Sequence, residues 1–313
     1  MRRNEDTNCD VFLTSRQADK VLLAGFLCYL LVSRCALRIP FLKAQPVIRI
    51  ILGEAALVIP GFVFLRRAEV SVSTQLGMDK SAGGSLGIAV AAMVCCYPVV
   101  LVLNILSMHF ARNHVAEVLP EVLKLGLLPA LAVMALLPAL AEEFIFRGIL
   151  YRSYRRYRPL QGALLSAFLF GLMHMDMNQI PYAVFLGIVL ALMAEAAGTV
   201  KISMFMHFLF NGGTVLISYF SQGTGGGGPS PEETQAATEL LLRESVSLQG
   251  ILIMAGVSLF ALCMLTLVLN KAFKKNGKNM HEILSFKRGT SLPADPWLVF
   301  YIWAAIGVTW YFR

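Results

Sequence analysis

The chain has 313 residues, 57% of them hydrophobic and only 15% charged, with a mean hydropathy of +0.67 and a formal net charge of +8. So little polar surface excludes a soluble domain of this length and predicts an integral membrane protein. The positive charge does not point to nucleic acid, because Lys and Arg gather in short stretches between apolar runs, as in the cytosolic loops of membrane proteins.

Residues 1–20 read as a polar, mixed-charge cytosolic tail. No cleavage-site pattern follows the first apolar run, which is therefore a retained span rather than a signal peptide. A helix needs about 20 apolar residues to cross a bilayer. Runs that approach this occupy 21–37, 47–65, 84–108, 123–151, 160–174, 180–197, 200–220, 248–269 and 297–312. The fifth is short. The last is short and aromatic, and suits either a span or an interfacial helix. The expectation is an all-α, polytopic bundle of eight or nine transmembrane helices: N-terminal helices in 21–122, a four-helix core in 123–220 and C-terminal helices in 248–313. The runs are continuous rather than alternating, which excludes a strand barrel. Residues 221–247 contain GTGGGGPSPEE and read as a flexible Gly/Pro-rich loop. The six cysteines, Cys9, Cys28, Cys35, Cys95, Cys96 and Cys263, have no CxxC spacing and read as small packing residues.

The basic stretches give an orientation. Arg2, Arg3, Arg16 and Lys20, then Arg152, Arg155, Arg156 and Arg158, then Lys271, Lys274, Lys275, Lys278, Lys287 and Arg288 all fall on one side if the spans alternate. The positive-inside rule puts that side, with the N-terminus, in the cytosol. Arg38 and Lys43 fall on the other side, against the trend. Short loops and the absence of a targeting segment suit a multi-pass protein of a bacterial plasma membrane.

Charged and polar groups inside apolar runs need a reason, because each is costly in a bilayer. Glu142, Glu143 and Arg147 stand in AEEFIFRG. Glu143 and Arg147 are four apart and can pair on one helical face. Glu142 is turned about 100° away and is left without that partner. The same residues also fit a snorkelling cluster near the interface. His174 follows Phe170 by four residues, so the ring can wall the imidazole, although a histidine at a helix end is also satisfied locally. His207 and Asn211 are again four apart and can donate hydrogen bonds to one point; they fit interhelical glue as well. Glu54, Arg49, Arg34, Glu195, Lys201, His109, His114, His281 and the Met173, Met175 and Met177 cluster read as structural.

Together, a carboxylate and a histidine can deprotonate a water, and a second histidine with an amide can stabilise an oxyanion. This is equipment for hydrolysing an amide with water as nucleophile. Glu142, His174 and His207 also suit zinc with an open position for water. HExxH is absent, which excludes a zincin-type site.

The order EExxxR (Glu142, Glu143, Arg147), FxxxH (Phe170, His174) and HxxxN (His207, Asn211) resembles the three motifs of the CPBP family. That family comprises type II CAAX prenyl proteases and bacteriocin-processing enzymes and is also called Abi. The resemblance covers residues 129–213, within the four-helix core. It implies an intramembrane endopeptidase whose site opens toward the cytosol and which meets membrane lipid and a peptide or lipidated-protein substrate. By the same resemblance Glu142 is the base that activates water, His174 helps to hold that water, and His207 and Asn211 form the oxyanion hole. Glu143 and Arg147 support the site, and Phe170 packs beside His174. The family is described both as metalloprotease and as metal-free, glutamate-dependent protease. Asn211 stands where zinc would prefer histidine or carboxylate. A non-catalytic immunity or scaffold protein of the same fold, and a transporter using the same buried groups, are the other readings.

Overall fold

A computed structural model describes residues 12–156, 158–221, 231–285 and 295–311. The regular structure in these residues is helical, with no strand among them. Seven helices are long and apolar enough to cross a membrane: α1 (Ser15–Arg38), α2 (Pro46–Arg67), α3 (Leu86–Met108), α4 (Leu127–Tyr154), α6 (Gln179–Ala197), α7 (Lys201–Ser221) and α8 (Leu248–Lys275). Two shorter apolar helices, α5 (Pro159–Met173) and α9 (Pro296–Tyr311), complete the set. The protein is therefore a polytopic helical bundle of the multi-pass membrane type.

Local chemistry sets most of the ends. Thr14 caps α1 through a reciprocal capping box with Gln17. Proline opens α2 and α5, where its missing N–H has no intrahelical role. Gly198 closes α6 in the left-handed region, φ 73°, which a side chain would disfavour. Pro138 cannot donate to the turn before it, and α4 widens into π-helix at Ala132–Leu136, directly upstream. A second π stretch, Phe144–Tyr151, follows Glu143 at once, with all 8 of its residues buried.

Three details differ from the sequence expectation. Helix α1 starts at Ser15, so the polar tail gives way to helix before the apolar run begins. Leu123 ends a separate short helix, His114–Leu123, and α4 starts only at Leu127, after Gly126 turns the chain with φ 95°. Within 221–247, residues 222–230 lie outside the described residues, but Pro231–Ser245 is helical rather than irregular. Its sequence EETQAATELLLRES consists mostly of good helix formers, which outweigh the neighbouring glycines.

Helices α5 and α6 form an antiparallel hairpin, α1 packs on α2 and α9, and α3 packs on α6, α7 and α8. One apolar core joins α1, α4, α5 and α9 through residues such as Phe26, Phe146, Leu169 and Tyr301. A second joins α3, α6, α7 and α8 through Met93, Leu190, Met206 and Phe273. Helix α8 turns Leu252, Leu259, Phe260 and Leu267 outward, as a lipid-facing helix does.

Hydrogen bonds define the two ends of the bundle. At one end, Arg156 bonds to Leu13 O, Lys201 Nζ bonds to Met78 O at 2.5 Å, Arg152 Nη2 bonds to Gly198 O at 2.6 Å, and Lys278 bonds to Glu195. This is the end that carries the basic connections. At the other end, Ser107 Oγ bonds to Asn178 O at 3.0 Å, and His109 Nε2 lies 2.9 Å from Ser245 Oγ.

Candidate active site

One cavity of about 430 Å³ lies among α2, α3, α4, α5, α6 and α7. Glu142, His174, His207 and Asn211, which stand on three different helices, all line it, and so does Phe170. Glu143 and Arg147 do not reach it. They lie behind its wall with side chains 0% exposed, and Arg147 Nη1 donates to Glu143 Oε1 at 2.6 Å. The helical offset between Glu142 and Glu143 thus separates a carboxylate that faces the cavity from one locked in a buried pair.

His207 connects the two. Its Nδ1 lies 3.1 Å from Glu143 Oε1 and its Nε2 lies 3.6 Å from Glu142 Oε2. A carboxylate only accepts, so Nδ1 is the protonated nitrogen toward Glu143. The nitrogen facing Glu142 and the cavity donates only when the ring carries its second proton. Glu143 therefore orients the imidazole, in the manner of a carboxylate behind a catalytic histidine.

His174 caps the end of α5, and its Nδ1 lies 2.9 Å from Phe170 O. A carbonyl also only accepts, so Nδ1 carries the hydrogen and Nε2 keeps its lone pair. Phe170 is the shared wall. Its ring meets His174 edge-on at 4.9 Å and His207 at 6.0 Å, while the Arg147 guanidinium sits 4.4 Å over its face. The cation–π contact holds the ring that spaces the two histidines.

Glu54, read as structural from the sequence, also lines the cavity, from α2. Its Oε2 is buried without a hydrogen-bond partner. No spacing in the sequence could reveal this, because α2 meets α4 only in the folded bundle. Tyr97 of α3 was not singled out either. Its hydroxyl donates to Phe210 O at 3.0 Å, and so fixes α7 beside Asn211. Glu195 is 3% exposed, bound by Tyr151 at 2.8 Å and paired with Arg155 at 2.7 Å. Arg49, Arg34, Lys201 and His281 do not line the cavity.

Zinc does not fit this arrangement. Among the described residues no three His, Cys, Asp or Glu side chains group closely enough to hold a metal ion. Nδ1 of His207 is taken by Glu143, so only its Nε2 and Glu142 approach each other, and His174 offers a single nitrogen from another wall.

Glu142, His174, His207 and Asn211 fall inside one matched segment. The model of the family described as Rce1-like, type II CAAX prenyl endopeptidase Rce1-like, matches residues 124–213. No curated protein and no solved structure matches the chain. That segment, under a third of the chain, is similar to the type II CAAX prenyl endopeptidase family. The similar segment runs from α4 into α7, and it contains the three motifs that resemble the CPBP family.

Proposed function

We propose that the chain hydrolyses a peptide bond within the membrane with a water activated by Glu142. The observation that supports this is the convergence of Glu142, His174, His207 and Asn211 on one cavity, with Glu143 and Arg147 locked behind it.

The substrate is a peptide or lipidated-protein segment that extends into the cavity. Water sits between Glu142 and the lone pair of His174 Nε2. Glu142 takes a proton as the water oxygen attacks the carbonyl carbon. The carbonyl oxygen becomes an oxyanion and accepts hydrogen bonds from the Asn211 amide and the protonated Nε2 of His207. Collapse of this intermediate breaks the C–N bond, and the proton held by Glu142 passes to the leaving amine. One water is consumed, and a carboxylic acid and an amine are released. No step is routed through a metal.

The test is cleavage by detergent-purified protein of a panel of prenylated CAAX peptides and bacteriocin leader peptides, comparing wild type with Glu142→Gln. The substitution keeps the shape and removes the base. Loss of cleavage with undiminished protein is expected. Undiminished cleavage by Glu142→Gln would sink the reading.

A further inference from the structure

A buried polar atom without a hydrogen-bond partner calls for an explanation, because its desolvation is costly. Glu54 Oε2 is such an atom, and its side chain lines the cavity that holds Glu142, His174, His207 and Asn211. Close packing fixes the helix that carries it. A Cβ at Gly25 of α1 would sit 2.8 Å from Leu57 O, and one at Gly53 of α2 would sit 2.9 Å from Tyr29 Cε2. Further along α2, a Cβ at Gly61 would sit 2.6 Å from Phe144 Cε1, and Phe62 stacks on the same Phe144 ring at 4.6 Å. These glycines clamp α2 between α1 and α4. The helix cannot roll to turn Glu54 out of the cavity without parting those contacts.

Among the described residues, the cavity brings this carboxyl no cation, since no Lys or Arg lines it. Arg49, on the same helix, donates to Lys43 O, and Arg147 is held by Glu143 behind the wall. His207 is turned toward Glu143 and Glu142, and His174 Nδ1 toward Phe170 O. The hydroxyls of Tyr97 and Thr214 donate to main-chain carbonyls of α7. A peptide drawn into the same cavity has the complementary deficit. Each of its residues other than proline brings a main-chain N–H out of water, and that donor needs an acceptor.

We propose that Glu54 is a substrate-binding residue, whose carboxyl accepts a hydrogen bond from one main-chain N–H of the peptide. This rests on reading the cavity as the active site. The scissile carbonyl is held by Asn211 and His207 of α7, and an N–H is held by Glu54 of α2. Two points on different helices fix the direction in which an extended segment crosses the cavity. They also set a sequence rule: the residue whose N–H meets Glu54 is not proline, which has none. A main-chain N–H fits this place better than a cationic side chain. It is neutral, whereas Lys or Arg would have to carry a charge into an apolar membrane cavity.

The test is peptide binding by the detergent-purified full chain, read by fluorescence anisotropy. The probes are a labelled farnesylated CAAX peptide and a labelled bacteriocin leader peptide, each also made as a series with one N-methylated residue at a time. The background is Glu142→Gln, so that peptide is not consumed. Glu54→Leu is expected to raise Kd about tenfold, the worth of one buried hydrogen bond, and Glu54→Gln, which keeps a carbonyl acceptor, to restore it to within about threefold. N-methylation at one position should cost about tenfold with Glu54 and less than about twofold with Glu54→Leu, because the two changes remove the same bond. Glu54→Leu should also melt at or above the background temperature, since an apolar side chain replaces an unpartnered carboxyl. Unchanged Kd in Glu54→Leu, or N-methylation costs that are equal in both proteins at every position, would overturn the proposal. So would Glu54→Gln binding as weakly as Glu54→Leu, which would assign the carboxyl to a cation, or a lower melting temperature for Glu54→Leu, which would make Glu54 structural. Binding is read without turnover. Cutting by the Glu142→Gln background would sink the catalytic reading while the Glu54 coupling is still read from the initial anisotropy.

Discussion

Arg147 and Glu143 hold each other at 2.6 Å with neither side chain exposed, and the Arg147 guanidinium also covers the Phe170 ring. A buried pair of this kind is sensitive to the loss of one partner, because the other charge is left in a medium of low polarity. Arg147→Ala is expected to cost about 3–5 kcal/mol of stability. Arg147→Lys keeps the charge but loses the planar stack on Phe170, so it should fall between wild type and Arg147→Ala. Thermal unfolding in detergent reads both. An Arg147→Ala protein as stable as wild type would mean that His207 alone satisfies Glu143.

Gly187 tests the packing behind the same pair. A Cβ placed there would sit 3.0 Å from Ala167 Cα and 3.0 Å from Arg147 Nη2. Gly187→Ala should therefore push α6 from α5 or displace the guanidinium, at about 1–3 kcal/mol. Gly256 on α8 has no atom within 4 Å of such a Cβ, so Gly256→Ala is the neutral control. Equal melting temperatures for the two variants would contradict the close approach.

His174 acts in the proposed reaction through the nitrogen that Phe170 O leaves free. His174→Ala removes the water's second partner and is expected to lower kcat about 10²–10⁴-fold while the protein still accumulates. Steady-state cleavage of the same peptides measures this. A change in KM alone would show that His174 binds substrate without holding the water.

The helices were legible in the sequence because the bilayer imposes their length. Each of the nine apolar runs forms a helix, with ends that move by a few residues to Thr14, Pro46 or Gly198. The Glu143–Arg147 pair and the shared face of His207 and Asn211 were legible because a four-residue spacing survives in the folded helix. The π stretches of α4 were not, since one extra residue per turn leaves no trace in an all-apolar run. Glu54 and Tyr97 stayed hidden for another reason: their roles depend on which helices become neighbours. The resemblance to the CPBP motifs named residues around the cavity but not Glu54, which lies on a helix outside the motifs.

The packing behind the cavity has a consequence for the membrane as a barrier. Below Glu142 and His207 the interior is filled by Glu143, Arg147, Tyr151 and Glu195, all buried and bonded to one another or to neighbours. A cavity blind at one end can hold the water that hydrolysis consumes without joining the two compartments. Protons and ions then find a vestibule rather than a channel, and the electrochemical gradient survives the presence of a wet site inside the bilayer.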